Sequence, residues 1–236
     1  MNVNNSEKSF CHIDKVVKNR YNLYMNEKEK FELYYNLLTE WNEKFNLTAV
    51  TEKEKVELLH FRDSVLPQDM IVKNASVLDV GSGAGFPAIP LKIVREDLTV
   101  TMVDSVNKKV VFLQEVIKRL GLTGIEALHK RIEELSKEVK YDVVTSRAVA
   151  PLNVLCEYCL PFVKIGGVMI AYKSAEVEEE LQSAGKVISL LGGEATVEKR
   201  ALSDEITRSF VIIKKVKESP SGYPRGGNKP RLKPIV

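Results

Sequence analysis

Three glycines at alternate positions follow a short apolar run in residues 78–87, LDVGSGAGFP. Glycine permits positive φ angles and lets a ligand approach the backbone closely. The helix predicted to follow would add unpaired N–H groups at its N-terminus. The dinucleotide fingerprint is GxGxxG, whereas Gly81, Gly83 and Gly85 form GxGxG and Phe86 occupies the next position. The spacing therefore predicts a loop that cradles a cofactor other than a dinucleotide.

A carboxylate stands just before this loop, since Asp79 lies two residues before Gly81. A carboxylate repels a pyrophosphate and attracts a cationic ligand. S-adenosylmethionine carries a sulfonium and an ammonium group, so Asp79 favours this cofactor over NAD. We therefore predict an S-adenosylmethionine site that includes Asp79 and the three glycines. A purely structural glycine turn is the alternative.

A second acid follows the next predicted strand, where Asp104 lies 19 residues after Gly85. A carboxylate at that strand end is suited to accept hydrogen bonds from both hydroxyls of a ribose. A solvated turn residue or a helix cap is the alternative. The spacing from the glycine loop favours cofactor binding by Asp104.

The segment Arg131-Ile132-Glu133-Glu134 follows the short third strand. In a sheet of this type that loop lies beside the adenine, so an apolar side chain there could pack on the ring and a nearby polar group could contact its edge. The sequence is equally compatible with the start of a helix, where the positive end of the helix dipole stabilises acidic side chains. Both interpretations stay open.

Arg147 ends the fourth predicted strand, in Thr145-Ser146-Arg147-Ala148. Ligands of open α/β sheets bind beyond the carboxyl ends of the strands, so we predict that Arg147 faces the reaction cleft. Its guanidinium could contact the cofactor carboxylate, an RNA phosphate or a guanine edge. A surface arginine that binds a carbonyl is the alternative.

The same strand end lacks two other kinds of catalytic apparatus. It has neither the Asp/Asn-Pro-Pro-aromatic motif typical of methylation at an exocyclic base amine nor a cysteine nucleophile for methylation at a pyrimidine carbon. Guanine N7 needs neither, because its lone pair is exposed and carries no proton. Alignment of N7, methyl and sulfur would supply most of the catalysis, with Arg147 as the candidate catalytic residue and no general base.

The sequence predicts that these residues are positioned by a helical segment followed by alternating strands and helices. Phe31, Tyr34, Leu38, Trp41 and Phe45 recur at helical spacing, and a second helix is predicted from a Thr51–Glu54 capping box to Pro67. Strands are predicted at 76–80, 98–105, 125–127, 141–146 and 168–172, helices at 87–95 and 107–120, and a hairpin at 195–202 and 208–216. This order predicts an α/β fold with a doubly wound, mostly parallel seven-stranded sheet and an antiparallel final strand. We divide the chain into an N-terminal helical cap (1–72), a catalytic domain (73–216) and a tail (217–236).

Composition places this fold among globular proteins, with 44% hydrophobic and 28% charged residues over 236 positions. No apolar run approaches the roughly 18 residues of a membrane span, and the polar N-terminus lacks the pattern of a signal peptide. We therefore expect a cytoplasmic protein. Cys156 and Cys159 lie in an apolar stretch that predicts a packed helix, with no metal site.

The last 23 residues, 214–236, carry seven basic residues and one acid, a net charge of +6, so the remainder carries −3. The tail is rich in proline and glycine, which predicts a mobile or extended segment. Such a segment is suited to bind nucleic-acid phosphates. A solvated tail that only favours solubility, or a tail packed on the domain through Tyr223 and Leu232, are the alternatives.

Several motifs in order resemble the glucose-inhibited division protein B family (RsmG) over about residues 30–215. The motifs are WNEKFNLT (41–48), His60, Asp63-Ser64, LDVGSGAGFPAIPLKI (78–93), VDSVNKKVVFL (103–113), RIEE (131–134) and SRA (146–148). The terminal YPRGGNKPRLKPI (223–235) is similar to the tail of its Gram-positive members. One departure is Ala84, where some members have proline.

This resemblance implies a Rossmann-like methyltransferase that methylates guanine N7 of 16S ribosomal RNA near the decoding site. It implies cofactor contacts at Gly81, Phe86, Ile132, Glu133 and Arg147. We expect 16S rRNA or a small-subunit precursor as the partner, no membrane, no metal, and a monomer. A small-molecule methyltransferase and a non-catalytic cofactor-sensing protein are the competing hypotheses.

Overall fold

The computed structural model describes residues 25–236. The helices are α1 (Glu27–Phe45), α2 (Lys53–Val56, continued by a π-helical segment Glu57–Arg62 and by Asp63–Val65), α3 (Ala88–Val94), α4 (Asn107–Leu120), α5 (Leu152–Cys159), α6 (Glu178–Leu190) and α7 (Lys229–Leu232). Single 3-10 turns span Gln68–Met70, Ile132–Glu134 and Leu160–Phe162. The strands are β1 (Ser76–Val80), β2 (Thr99–Asp104), β3 (Ile125–His129), β4 (Tyr141–Arg147), β5 (Val163–Lys173), β6 (Gly193–Ala201) and β7 (Thr207–Lys215).

The strands form one seven-stranded sheet in the order β3-β2-β1-β4-β5-β7-β6. The pairs from β3 through β5 are parallel, whereas β7 is antiparallel to both β5 and β6. The strand order reverses between β1 and β4, so crevices open there beyond the carboxyl ends. The predicted doubly wound, mostly parallel sheet with an antiparallel hairpin is confirmed.

Helices cover both faces of this sheet, and each face has its own apolar core. On one face, α1 to α4 contribute side chains such as Tyr34, Phe61 and Phe112 to a buried cluster. On the other face, α5 and α6 pack through residues such as Leu155 and Val187. The near-continuous burial of β1 agrees with a central strand that is covered on both sides.

The N-terminal helices pack onto the helices that cover one face of the sheet. The α1 residue Tyr34 is fully buried and donates its hydroxyl to the Ala84 carbonyl in the glycine segment. Asn26 and Glu29 form the capping box of α1. The predicted box at the start of α2 is wrong, because that helix begins after Glu52 without a side-chain cap bond among the described residues.

The tail differs from the sequence-based prediction of a mobile or extended segment. Residues 223–235 fold onto α5, and Pro224 and Pro230 are buried there. Tyr223 packs against the core, as the packed alternative expected, but Leu232 is 72% exposed and anchors nothing. Proline and glycine content excluded a long helix or a strand but did not exclude a fixed irregular path.

Two further predictions concern the cysteines and membranes. Cys156 and Cys159 are buried in α5, which confirms the packed helix, and burial raises the pKa of both thiols. The third cysteine of the sequence, Cys11, lies outside the described residues. Within residues 25–236, no helix combines the length and apolar character needed to cross a membrane.

Candidate functional site

The glycine segment turns sharply after β1 and is held against the end of β2. The backbone N–H groups of Gly81 and Ser82 donate to the Val103 carbonyl at 2.9 and 3.2 Å. All three glycines have positive φ angles, +72° at Gly81, +58° at Gly83 and +99° at Gly85. The tight turn that the sequence predicted therefore requires glycine for its backbone conformation.

The three glycines face different surroundings. A Cβ at Gly85 would lie 2.6 Å from the Tyr34 hydroxyl, so this glycine accommodates the packing of α1. A Cβ at Gly81 would lie 2.5 Å from Val149. At Gly83, the nearest described atom would be the Gly81 carbonyl oxygen at 3.9 Å. Gly83 thus leaves open space beside the loop, as a close-approaching ligand requires.

Asp104 organises this loop from the end of β2. Its Oδ2 accepts a hydrogen bond from the Gly83 N–H at 2.9 Å, and its Oδ1 accepts one from the Val106 N–H at 2.8 Å. Each carboxylate oxygen has further lone pairs for ligand hydroxyls. The residue therefore has the structural turn contacts of the alternative interpretation and also borders a cleft.

This first cleft, with a volume of about 310 Å³, lies beyond β1, β2 and β3. Four of the residues predicted to bind the cofactor line it, namely Gly81, Asp104, Ile132 and Glu133. The segment after β3 forms the 3-10 turn Ile132–Glu134, in which Ile132 is buried and Glu133 is half-buried. The cleft thus combines backbone groups, a carboxylate at a strand end and an apolar side chain, which fits a nucleoside-containing ligand.

Asp79 lies beneath the loop and does not line the cleft. It is fully buried, and its Oδ1 accepts a hydrogen bond from the Thr145 hydroxyl at 2.8 Å. Its Oδ2 is buried without a hydrogen-bond partner among the described residues. Burial raises the pKa of Asp79 to about 7, against the opposing effects of hydrogen bonds and of the Arg147 charge. A cationic ligand above the loop would favour the ionised form.

A second cleft of about 490 Å³ opens on the other side of the β4 end. It is lined by residues of α2, β4, β5 and β7, including His60, Asp63, Arg147, Tyr172, Lys173 and Arg208. Ala148 lines both clefts and has a φ of +56°, an uncommon conformation for a residue with a Cβ. The two clefts therefore meet at a strained residue, a feature that clusters at functional sites.

Arg147 faces the second cleft, in a cage of residues from α2. Its Nη1 donates to Asp63 Oδ2 at 2.7 Å and to the Leu59 carbonyl at 3.2 Å. Its Cζ lies 5.0 Å from the centre of the Phe86 ring. Arg208 Nε donates to the other Asp63 oxygen at 2.7 Å. Asp63 is 3% exposed, so two guanidinium groups compensate a buried carboxylate.

His60 completes this cage in its neutral form. Its ring stacks on Phe86 with 4.5 Å between centroids, and its Nε2 lies 2.8 Å from the Thr48 hydroxyl. Burial and the neighbouring Arg147 charge lower the pKa of His60 to about 4. At neutral pH the second cleft therefore holds arginine cations beside an uncharged imidazole.

The structure separates the predicted site residues into three groups. The first cleft is lined by Gly81, Asp104, Ile132 and Glu133. The second cleft is lined by Arg147, whose guanidinium lies over the Phe86 ring. Asp79, Gly83 and Gly85 form or support the loop. Sequence reasoning did not assign Asp63, His60 or Arg208 to the site. The signal for the first two was their place in the quoted family motifs, whereas Arg208 carried none.

The chain has clear relatives among known proteins. Residues 27–208 match the family described as rRNA small subunit methyltransferase G. The chain is 49% identical to the ribosomal RNA small subunit methyltransferase G of Desulforamulus reducens, over 92% of this chain and 93% of that protein. It is 47% identical to the protein of the same name from Lachnoclostridium phytofermentans, over 91% and 92% of the two chains.

Among solved structures, the chain is similar to the ribosomal protein L11 methylase of Lactobacillus delbrueckii subsp. bulgaricus. The TM-score is 0.52 at 17% identity, over 66% of this chain and 78% of that one. This likeness concerns the fold alone, and it confirms the predicted Rossmann-like methyltransferase fold.

Proposed function

Because the chain belongs to the rRNA small subunit methyltransferase G family, we propose that it transfers a methyl group from S-adenosylmethionine to N7 of a guanine in 16S ribosomal RNA, in the decoding-site region. The observation that carries this proposal is the pair of clefts that meet at Ala148. One cleft is suited to the methyl donor and the other to the base.

The first cleft fits the cofactor by its donor set. The residues that would hold it are Gly81, whose backbone lines the cleft, Gly83, which leaves open space beside the loop, Asp104 through its carboxylate, and Ile132 with Glu133 beside the base. Bound there, S-adenosylmethionine supplies an electrophilic methyl group on a sulfonium.

The other predicted cofactor residues take supporting roles in this proposal. Asp79 would contribute negative potential from beneath the loop, and Gly85 would keep the loop close to α1. Arg147 would act from the second cleft rather than on the adenosine, with Phe86 packed against its guanidinium.

The second cleft suits an acceptor that needs no proton removed. Guanine N7 is such an acceptor, because its lone pair is free for in-line attack. Arg147 and Arg208 could donate to guanine O6 or to a flanking phosphate. His60, neutral and packed on Phe86, would shape the wall and hold Arg147 in position. Positioning would then account for most of the rate enhancement.

We further propose that the protein acts in the cytoplasm on rRNA or on a small-subunit precursor. A monomer suffices for this activity, since one chain contributes both clefts. Light scattering of the purified protein would test the monomer directly.

The decisive experiment is mass spectrometry of 16S rRNA from cells with and without the gene. We expect one 7-methylguanosine to disappear on deletion and to return with the wild-type gene but not with the Arg147→Ala variant. Isothermal titration should show binding of S-adenosylmethionine and none of NAD. Unchanged rRNA methylation in the deletion strain would contradict the proposed substrate.

A further inference from the structure

The tail (217–236) is fixed to the catalytic domain by one buried ion pair. Arg225 donates from Nε and Nη2 to the two oxygens of Glu157, at 2.7 and 2.6 Å, and its backbone N–H donates to Oε1 at 3.1 Å. Glu157 belongs to α5 and is 1% exposed. A carboxylate buried to this extent needs its partner, so this contact holds the tail in one place.

The rest of the tail is arranged around the same arginine. Arg225 Nη2 also donates to the Lys233 carbonyl at 2.9 Å, which closes the segment into a loop. Pro230 is buried, and Tyr223 and Ile235 pack against the core of this face. The path of the tail is therefore set by contacts on both sides of α7.

This arrangement brings two tail residues to the first cleft. Asn228 and Arg231 line it together with Tyr158 and Val149. Arg231 Nη2 donates to the Val149 carbonyl at 3.1 Å, and Val149 is the residue that a Cβ at Gly81 would strike. Arg231 and the glycine loop therefore border the same residue, Val149, at the first cleft.

The remaining hydrogen-bonding capacity of Arg231 is available to a ligand. A guanidinium has five N–H donors, and the contacts of Arg231 with the Val149 carbonyl and the Tyr158 hydroxyl leave some of them for a ligand. Burial raises the pKa of the Tyr158 hydroxyl and the Glu133 charge raises it further, whereas the charge and the hydrogen bond of Arg231 lower it, so the three groups lie close together. A fixed cation beside these groups offers donors to the carboxylate, the hydroxyls or the ring nitrogens of a nucleoside amino acid.

We propose that the tail is a wall of the cofactor cleft and that Arg231 binds S-adenosylmethionine directly, with the Arg225–Glu157 pair as the contact that positions it. This assignment rests on the proposed function, which supplies the cofactor. It assigns Arg231 a different partner from the nucleic-acid phosphates that the sequence suggested for the tail.

The test is isothermal titration of S-adenosylmethionine and S-adenosylhomocysteine into the full-length wild type, Arg231→Ala and Lys233→Ala. Lys233 is the matched control, because it is an exposed tail cation that does not line the cleft. Arg231→Ala should weaken both ligands about tenfold, the effect of one charge-assisted hydrogen bond. Lys233→Ala should leave both affinities within about twofold of the wild type. Arg231 is exposed, so its removal should not unfold the protein.

The outcomes separate this proposal from the proposed function. A wild type that binds neither ligand would refute the cofactor assignment itself. Wild-type binding with unchanged affinity in Arg231→Ala would refute the tail as a wall. Equal losses in Arg231→Ala and Lys233→Ala would also refute it, because the effect would then follow tail charge rather than position.

Discussion

Asp63 lies at the centre of the second cleft, and its two oxygens bind two different arginines. Arg147 comes from β4 and Arg208 from β7, while Asp63 belongs to α2. The N-terminal helices therefore reach the candidate active site through one buried carboxylate. Loss of either arginine leaves Asp63 with a charged partner, so function at this site can be tested without removing its electrostatic compensation.

Arg147→Ala should lower the rate of methyl transfer by at least about 100-fold, because positioning is the main catalytic contribution expected here. The fold should survive with a loss of about 1–2 kcal/mol, since Arg208 still compensates Asp63. Transfer of radiolabelled methyl to small-subunit rRNA and thermal unfolding measure the two effects. The control is Arg119→Ala, because Arg119 is an exposed arginine on α4. Normal turnover in Arg147→Ala would show that Arg147 has no part in the reaction.

Asp79 should give the protein an unusual dependence of stability on pH. Burial raises its pKa in the fold to about 7 from the ordinary 3.8. Between these values the folded state retains a proton that the unfolded chain releases, so the free energy of unfolding falls as pH rises. Asp79→Asn removes this term. The free energy of unfolding of the variant minus that of the wild type should therefore increase by about 4 kcal/mol between pH 4 and pH 8.

Urea unfolding of both proteins at several pH values measures that difference, and the other titrating groups cancel in the comparison. A difference that stays constant with pH would mean that Asp79 is ionised in the fold throughout this range.

Regular elements were the part of the molecule that the sequence predicted well. The helix predicted at 107–120 is α4, and it ends at Gly121 with a φ of +64°. The strand predicted at 76–80 is β1. Periodicity and capping glycines are local signals, so they fix such elements without knowledge of the fold. Strand β5 is longer than the predicted 168–172, because its exposed first half, Lys164–Gly166, lacks an apolar pattern.

The sequence predicted the site residues that lie in one local segment. It missed the contacts that depend on tertiary packing. The glycine loop and Asp104 are neighbours through adjacent strands, which the βαβ order implies. The contact between Arg147 and α2 joins residues 84 positions apart in the chain. The tail residue Arg231 reaches Val149 across 82 positions. No spacing rule connects such pairs, since tertiary packing alone brings them together.

Within the glycine segment, Gly83 and Gly85 should respond differently to the same substitution. Gly83→Ala should cost about 1 kcal/mol for its positive φ and should weaken S-adenosylmethionine binding, because the methyl group enters the open side of the loop. Gly85→Ala should cost about 3 kcal/mol or more, since its Cβ would also meet Tyr34 and Ile89. Chemical denaturation and titration of the cofactor distinguish the two. Equal stability losses would contradict the separate roles of the two glycines.

At the scale of the whole molecule, the basic residues of segment 214–236, which has a net charge of +6, fall into two groups. Three of its seven basic groups are engaged with the domain: Lys215 donates to the Leu191 carbonyl, Arg225 pairs with Glu157 and Arg231 binds the Val149 carbonyl. The other four are exposed and form no ion pair within the described residues, namely Lys214, Lys217, Lys229 and Lys233. These lysines are the basic groups of residues 214–236 that remain available to RNA phosphates.

Replacing these four lysines together with glutamine should weaken RNA binding and reduce its dependence on salt. Each phosphate contact releases counterions, so the slope of log K against log salt should fall by up to about 3 in magnitude. Cofactor affinity should not change, because none of the four lines the first cleft. Filter binding of small-subunit rRNA at several salt concentrations measures the slope. Arg231→Ala is the converse control, because it should weaken cofactor binding. An unchanged slope with a normal melting temperature would place the RNA-binding surface elsewhere, on the arginines around the second cleft.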